Sequence, residues 1–274
     1  EDAGLYEAVE AASDFTKALG INIPTGKDSL SMKQKYKDQD VLAPGTVVIS
    51  ASAHCDDIQR VVEPVMKSSG YLYYINWSDA SFALGGTAFA QTINQIGQET
   101  GYARNPELVI RSFNTIQKLI KDRKIIAGHD ISSGGLITTL FEMCFPSQNV
   151  AAHIDLSSLG ETDIHHLLFN ENTGVVIQSN EELDDHLAEA GLDFYQIGYG
   201  TASDRLEIKV HKDFHSFDIA TYRKTWFHRS YLFDRHQSNL EQAEERLKYL
   251  AKSPLEFKFP KGFDGKISET KQKV

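Results

Sequence analysis

Between Asp2 and Leu19 the apolar residues Leu5, Val9, Ala12, Phe15 and Leu19 recur at intervals of three and four. That spacing lines them along one face of an amphipathic helix, and Gly20 follows as a helix stop. Beyond it, Ile21 and Ile23 alternate as a short strand broken by Pro24, Thr25 to Ser29 is turn-like, and Leu30 to Met32 resumes extended structure. Tyr36 to Asp40 reads as a polar loop, and Thr46 to Ala53, with Val47, Val48 and Ile49 in succession, as a buried strand. After Gly70, Tyr71 to Ile75 predicts an aromatic-rich strand. Helices are predicted at Thr87–Ile96, at Pro106–Arg123 with Ile110, Phe113, Ile116, Leu119 and Ile120 on one face, and at Leu136–Cys144. Short apolar runs at Ile125–Ala127, Val150–Asp155, Gly174–Gln178 and Leu206–Val210 predict strands, with a helix at Glu181–Ala190 between the last two.

Strands alternating with helices indicate an α/β or α+β layered fold. The composition changes around residue 66 and the periodicity weakens after Thr221, which divides the chain into 1–66, 67–222 and 223–274. The last part holds Trp226, Tyr231, Phe233 and a polar helix at Leu240–Leu250. It ends in a tail, Ser253 to Val274, with no helical or strand period.

The 274 residues are 41% hydrophobic and 24% charged, values of a globular protein. Asp and Glu outnumber Lys and Arg, 38 to 28, for a net charge of −10. With no concentrated basic stripe, that balance argues against nucleic acid as a partner. No apolar run approaches the ~18 residues of a membrane span. Two cysteines, Cys55 and Cys144, exclude a disulfide framework and favour the cytoplasm. The chain opens at Glu1, inside the first helix, so it is expected to be a piece of a longer protein.

Four glycine-bearing turns are candidates for chemistry. Gly26-Lys27-Asp28-Ser29 combines a backbone that can approach an anion with an ammonium and a hydroxyl, but it lacks the full phosphate-loop spacing and reads equally as a hydrophilic turn. His129 to Gly135 follows a strand and precedes a helix. Asp130 and the serines suit Mg²⁺ bridging phosphates, and Gly134 and Gly135 suit the phosphates themselves. Alternatively, Asp130 and Ser132 simply cap the helix. Leu84-Gly85-Gly86-Thr87 reads as a tight connection or a phosphate-facing turn, and Leu168 to Gly174 as a solvated loop. His165 and His166 are adjacent and cannot form a one-face metal pair. Cys144 sits in an apolar helix and reads as a core residue.

Several of these segments, in order, resemble one family, the large single-chain phosphoribosylformylglycinamidine synthases. Glu1 to Val9 is similar to the start of a family helix, and Ile23 to Met32 to the family's most distinctive internal motif. Val48 to Ala51, Leu84 to Gln91, His129 to Gly135 and Leu168 to Glu171 follow in the same order, and Trp226 through Glu245 resembles the connector toward a glutaminase domain. Ser133 stands where the family commonly has Asp, and Asn170-Glu171-Asn172-Thr173 where it has Asn-Glu-Glu-Leu.

The resemblance implies an aminoimidazole-ribonucleotide-synthetase-like fold within the second of two repeated halves. Residues 1–66 would end its half-barrel domain, 67–222 would form its complete second α/β domain, and 223–274 would be the connector. The implied reaction is that of a C–N ligase of purine biosynthesis. It converts formylglycinamide ribonucleotide, ATP and glutamine to formylglycinamidine ribonucleotide, ADP, phosphate and glutamate. By the same resemblance, Gly26, Lys27, Asp28 and Ser29 would line the substrate and ATP cleft. Asp130 would bind Mg²⁺, and Ser132, Gly134 and Gly135 would belong to an auxiliary nucleotide site that stabilises without turnover. The family's Glu-Thr-His-Asn-His motif and a glutaminase cysteine are both absent from the chain, so it is expected to be inactive alone, completed by the missing first half and glutaminase domain. The other readings are a non-catalytic nucleotide-binding structural module and another ATP-dependent enzyme of the same superfamily. Unpaired strand edges of the half-barrel would also allow the fragment to form a homodimer.

Overall fold

The structure is a computed structural model that describes residues 2–27, 33–43, 45–55, 57–78, 80–250 and 258–265. In chain order the elements begin with α1 (Asp2–Leu19), β1 (Lys33–Tyr36) and β2 (Gln39–Leu42). β3 (Tyr71–Asn76), α2 (Ala88–Thr92), α3 (Pro106–Lys121), β4 (Ala127–Asp130) and α4 (Gly135–Cys144) follow. Next come β5 (Ala151–Asp155), α5 (Ile164–Phe169), β6 (Gly174–Ser179), α6 (Asp184–Glu189) and β7 (Asp193–Thr201). β8 (Arg205–Val210), β9 (Asp213–Asp218), α7 (Ile219–Gln237) and α8 (Leu240–Tyr249) complete the set.

Seven strands form one mixed sheet in the order β4-β6-β3-β7-β5-β8-β9. Every neighbour is antiparallel except β5 with β8. β3 is interior to the sheet and its side chains alternate between two cores, as a strand's period of two requires. Leu72 and Tyr74 join α4, with Leu140 and Met143, and α5, with Leu167. Tyr73 and Ile75 join α3, with Ile116 and Leu119, and α6, with Leu187. Helices thus cover both faces, the layered α+β arrangement that alternating patterns predict. Among the described residues no helix is long and apolar enough to cross a membrane.

α1 matches its predicted span, and Gly20 closes it in a left-handed conformation with φ +72°. The Gly20 and Ile21 N–H groups donate to Lys17 O and Thr16 O, which satisfies two helix-end carbonyls. Three expectations upstream of β3 fail. Residues 21–27 contain no strand, and the Tyr36–Asp40 loop is instead part of the β1–β2 hairpin, turning at Lys37 and Asp38. The apolar run at 46–53 is exposed rather than a buried strand, with Val48 83% accessible, because no described strand pairs with it. Leu30–Met32 lies outside the described residues.

Downstream, four elements escaped the pattern: the short α5, β7, β9 and α7. β7 carries a bulge where its register against β3 shifts between Leu72 and Tyr73, which breaks the alternation. Its Gly198 cannot be replaced by a larger residue without collision, since a Cβ there would strike the His153 carbonyl oxygen. β9 is largely polar, and α7 has most of its surface in water. α7 is held at its start, where Ile219 is buried, Tyr222 stacks on Phe141 of α4 and Arg223 Nε donates to Phe145 O. Asp218 caps its first turn through the Thr221 N–H, and Asp234 receives two bonds from Arg246 of α8 at 2.7 and 2.8 Å.

The chain enters the sheet at Met66–Gly70, tied by Gln178 of β6. The Gln178 side chain is fully buried. Its Oε1 accepts from the Lys67 N–H at 2.8 Å, and its Nε2 donates to Lys67 O at 2.9 Å and Ser69 O at 3.0 Å. Gln178→Leu would take the side-chain partner from three backbone groups, the N–H and C=O of half-buried Lys67 and the C=O of exposed Ser69, while preserving bulk. A loss of about 1–2 kcal/mol is expected from urea unfolding with unchanged m-value, since a lost hydrogen bond costs about 0.5–1.5 kcal/mol and these half-exposed groups can turn to water.

Candidate functional site

β3 and β4 run in the same direction, each antiparallel to β6, so the loops leaving them and the loop entering β6 meet at one end of the sheet. The pairing is continuous there. Asn76 opposes Gly174, the Trp77 N–H donates to Thr173 O, and the Ile131 N–H donates to Gly174 O. Three of the four candidate turns therefore come together: 84–87, 129–135 and 168–174.

The segment 168–174 is not the solvated loop that its polar composition suggests. Asn170 and Asn172 are buried, and both use their side-chain amides to hold backbone. Asn170 Nδ2 donates to His166 O at 2.6 Å and Leu167 O at 3.1 Å, while its Oδ1 accepts from the Asn172 N–H. Asn172 Nδ2 donates to Ser81 O at 2.9 Å and Ala80 O at 3.3 Å. Between them, Glu171 turns its carboxylate toward two helix starts. One oxygen accepts from the Ala88 N–H of α2 at 2.8 Å and from the Gly134 N–H ahead of α4 at 2.7 Å.

That arrangement settles how α4 is capped. Its N-cap is Gly134, left-handed at φ +92°, with no side-chain bond of its own, so neither Asp130 nor Ser132 caps the helix. The carboxylate comes from Glu171 instead, and a negative charge there suits the positive end of the helix dipole. Gly134 and Gly135 are not vacant anion donors, because the Gly135 N–H donates to Ser132 O while Gly134 serves Glu171. Gly135 is needed for packing. A Cβ on it would lie 2.6 Å from Asn170 O and 2.7 Å from Leu168 O.

The 84–87 turn is likewise self-satisfied. Gly85 and Gly86 donate to Glu99 O and Ile96 O, and Thr87 caps α2 by accepting from the Ala90 N–H. It is a tight connection, the first of its two readings.

What stays open to solvent is Asp130, whose side chain is 72% exposed, with Ser132 and Ser133 exposed beside it. Behind Asp130, His129 is fixed between two acids, with Nδ1 3.2 Å from Asp130 Oδ1 and Nε2 3.2 Å from Glu142 Oε2. Burial raises the Glu142 carboxyl above its ordinary range, with the His129 ring opposing. An apolar cleft of about 340 Å³ runs up to His129 and Asp130, walled by Val62, Ile116, Ile120 and Val175. Among the described residues no group of three or more His, Cys, Asp or Glu could enclose a metal ion. A single exposed carboxylate nevertheless fits Mg²⁺, which is commonly held by one or two carboxylates together with phosphate oxygens and water.

Of the remaining candidates, Gly26 and Lys27 are exposed, and a Cβ on Gly26 would meet nothing within 4 Å. Asp28 and Ser29 lie outside the described residues. Glu171 lies in the fourth candidate turn, which was read as a solvated loop, so its bonds to two helix starts were not anticipated. Its signal was a lone acid between two asparagines ahead of a buried strand.

Residues 1–54 match the family model described as FGAR-AT PurM_N-like domain, and residues 80–211 match the AIR synthase related protein, C-terminal domain. Phosphoribosylformylglycinamidine synthase of Homo sapiens is 37% identical over 218 residues, which is 77% of this chain. The chain belongs to the phosphoribosylformylglycinamidine synthase family. The matched stretch spans only 16% of the human synthase. Among solved structures, PurL of Thermotoga maritima complexed with FGAR aligns at TM-score 0.52 and 10% identity, over 77% of this chain and 36% of that one. At that identity the likeness extends to the fold, an aminoimidazole-ribonucleotide-synthetase-like α+β arrangement.

Burial separates the two cysteines of this synthase-family chain. Cys144 is enclosed in α4 and its thiol is pushed up to about 12 by burial, against the opposing charge of Arg223. Cys55 is exposed. At pH 8, a thiol reagent followed by mass spectrometry is expected to label Cys55 alone, with Cys144 reacting only after denaturation.

Proposed function

We propose that this chain is a segment from the second synthetase-like half of a phosphoribosylformylglycinamidine synthase. Residues 1–66 would end one domain, 67–222 form the next, and 223–274 lead toward a glutaminase domain. The observation that carries this is the 37% identity to the human synthase, running through the glycine turns that the fold assembles at one sheet end. The whole protein would be a cytoplasmic ATP-dependent C–N ligase. ATP would activate the amide oxygen of formylglycinamide ribonucleotide as a phosphoryl ester, and ammonia from glutamine would displace phosphate.

Within that ligase, Gly26, Lys27, Asp28 and Ser29 would border the cleft shared with the first half, the Lys27 ammonium being suited to a phosphoryl group. Asp130 would be the chain's contribution to Mg²⁺ in an auxiliary nucleotide site, with Ser132 touching the nucleotide and Gly134 and Gly135 shaping the turn. Bound Mg²⁺ would screen the phosphate charge from Asp130 and Glu171. Because the chain carries neither a Glu-Thr-His-Asn-His motif nor a glutaminase cysteine, it would bind without turning over.

Thermal unfolding of the chain with ADP and Mg²⁺ tests this reading. The nucleotide is expected to raise Tm only when Mg²⁺ is present, and Asp130→Asn to abolish the rise, since a ligand stabilises in proportion to its occupancy. A rise that survives both EDTA and Asp130→Asn would contradict the site. In the complete protein, Lys27→Ala and Ser29→Ala are expected to lower turnover at least ten-fold with Tm unchanged, and full turnover would refute the cleft assignment.

A further inference from the structure

Ala88 and Gly134 begin two helices that are far apart in the chain, yet both donate to the same oxygen of Glu171, at 2.8 and 2.7 Å. Helix starts leave N–H groups without intrahelical partners, and a carboxylate accepting from them makes a charge-assisted bond. The backbone of Glu171 is itself immobilised. The buried Asn170 grips the end of α5, and the buried Asn172 grips residues 80 and 81. Glu171 is therefore aimed rather than merely nearby. Its side chain is the link between the 84–87 turn, the 131–135 turn and the start of β6.

We propose that Glu171 is a positioning residue. Its carboxylate locks the two glycine turns in register and so sets where Asp130 and Ser132 stand. It also occupies the Gly134 N–H, so an incoming phosphate cannot use that donor and is left to a cation on Asp130 and to the exposed Ser132. The ligand part of this inference rests on the nucleotide reading above. The positional part does not.

The test combines residue-resolved amide exchange with titration of ADP and Mg²⁺ on this chain and its variants. Both bonds reach one oxygen, so Glu171→Gln, which keeps an acceptor oxygen at the same reach, is expected to retain slow exchange at Ala88 and Gly134 and to retain ADP affinity. Glu171→Ala is expected to accelerate exchange at both amides together and to weaken ADP binding. Each change should be about ten-fold or more, the scale of a lost bond to a charged group. Unchanged exchange at either amide in Glu171→Ala, or loss in Glu171→Gln equal to that in Glu171→Ala, would overturn the proposal. If Glu171→Ala does not fold, Glu171→Asp decides. Its side chain is one methylene shorter and should free at least one of the two amides, and slow exchange at both would overturn the proposal. If the parent chain binds no ADP, the nucleotide reading fails by itself, while the exchange data still decide the positional role.

Discussion

The pairing of β6 with β3 on one side and β4 on the other is the constraint on which the rest depends. Gly174, the first residue of β6, lies opposite Asn76, and its carbonyl accepts from Ile131. The approach is close enough that a Cβ on Gly174 would sit 2.7 Å from Ile75 O, so the position requires glycine. Because a one-residue slip would send every side chain of β6 to the opposite core, the register is strongly specified by Val176 on one face and Ile177 on the other. Once it is set, the loops after β3 and β4 and the loop before β6 must share one end of the sheet.

That end is polar and predominantly acidic. Asp130, Glu142 and Glu171 lie around it, with His129 between two of them, and the chain as a whole carries −10. Such a field disfavours a naked polyanion and favours one neutralised by a divalent cation. The glycine turns point the same way, since their N–H groups are already committed within the protein. Glycine serves here for close backbone approach and left-handed conformation rather than for cradling phosphate directly.

Elements with strong period or strong composition were legible in the sequence: α1, α3, α4 and the apolar strands β3, β5, β6 and β8. The family resemblance was legible too, because its motifs are ordered runs of specific residues. What escaped was whatever depends on partners distant in sequence. A bulge hid β7 behind two glycines, and α7 shows little apolar face because it packs on the domain only near its start, through Ile219, Tyr222 and Trp226. Val47 to Ile49 have the composition of a core strand but no described neighbour to pair with. At the candidate site, Asp130 and Ser132 were singled out by pattern, and the structure leaves both exposed. The turn that holds Glu171 was singled out, but not the carboxylate's role, since an acid that holds two helix starts looks, in sequence, like any loop acid.

The most direct measurement is a crystal structure of this chain grown with ADP and Mg²⁺. The account predicts the cation on the Asp130 carboxylate, the nucleotide against Ser132, and Glu171 still accepting from both Ala88 and Gly134. A phosphate bound on the Gly134 N–H with Glu171 swung away, or a nucleotide bound away from Asp130, would contradict it.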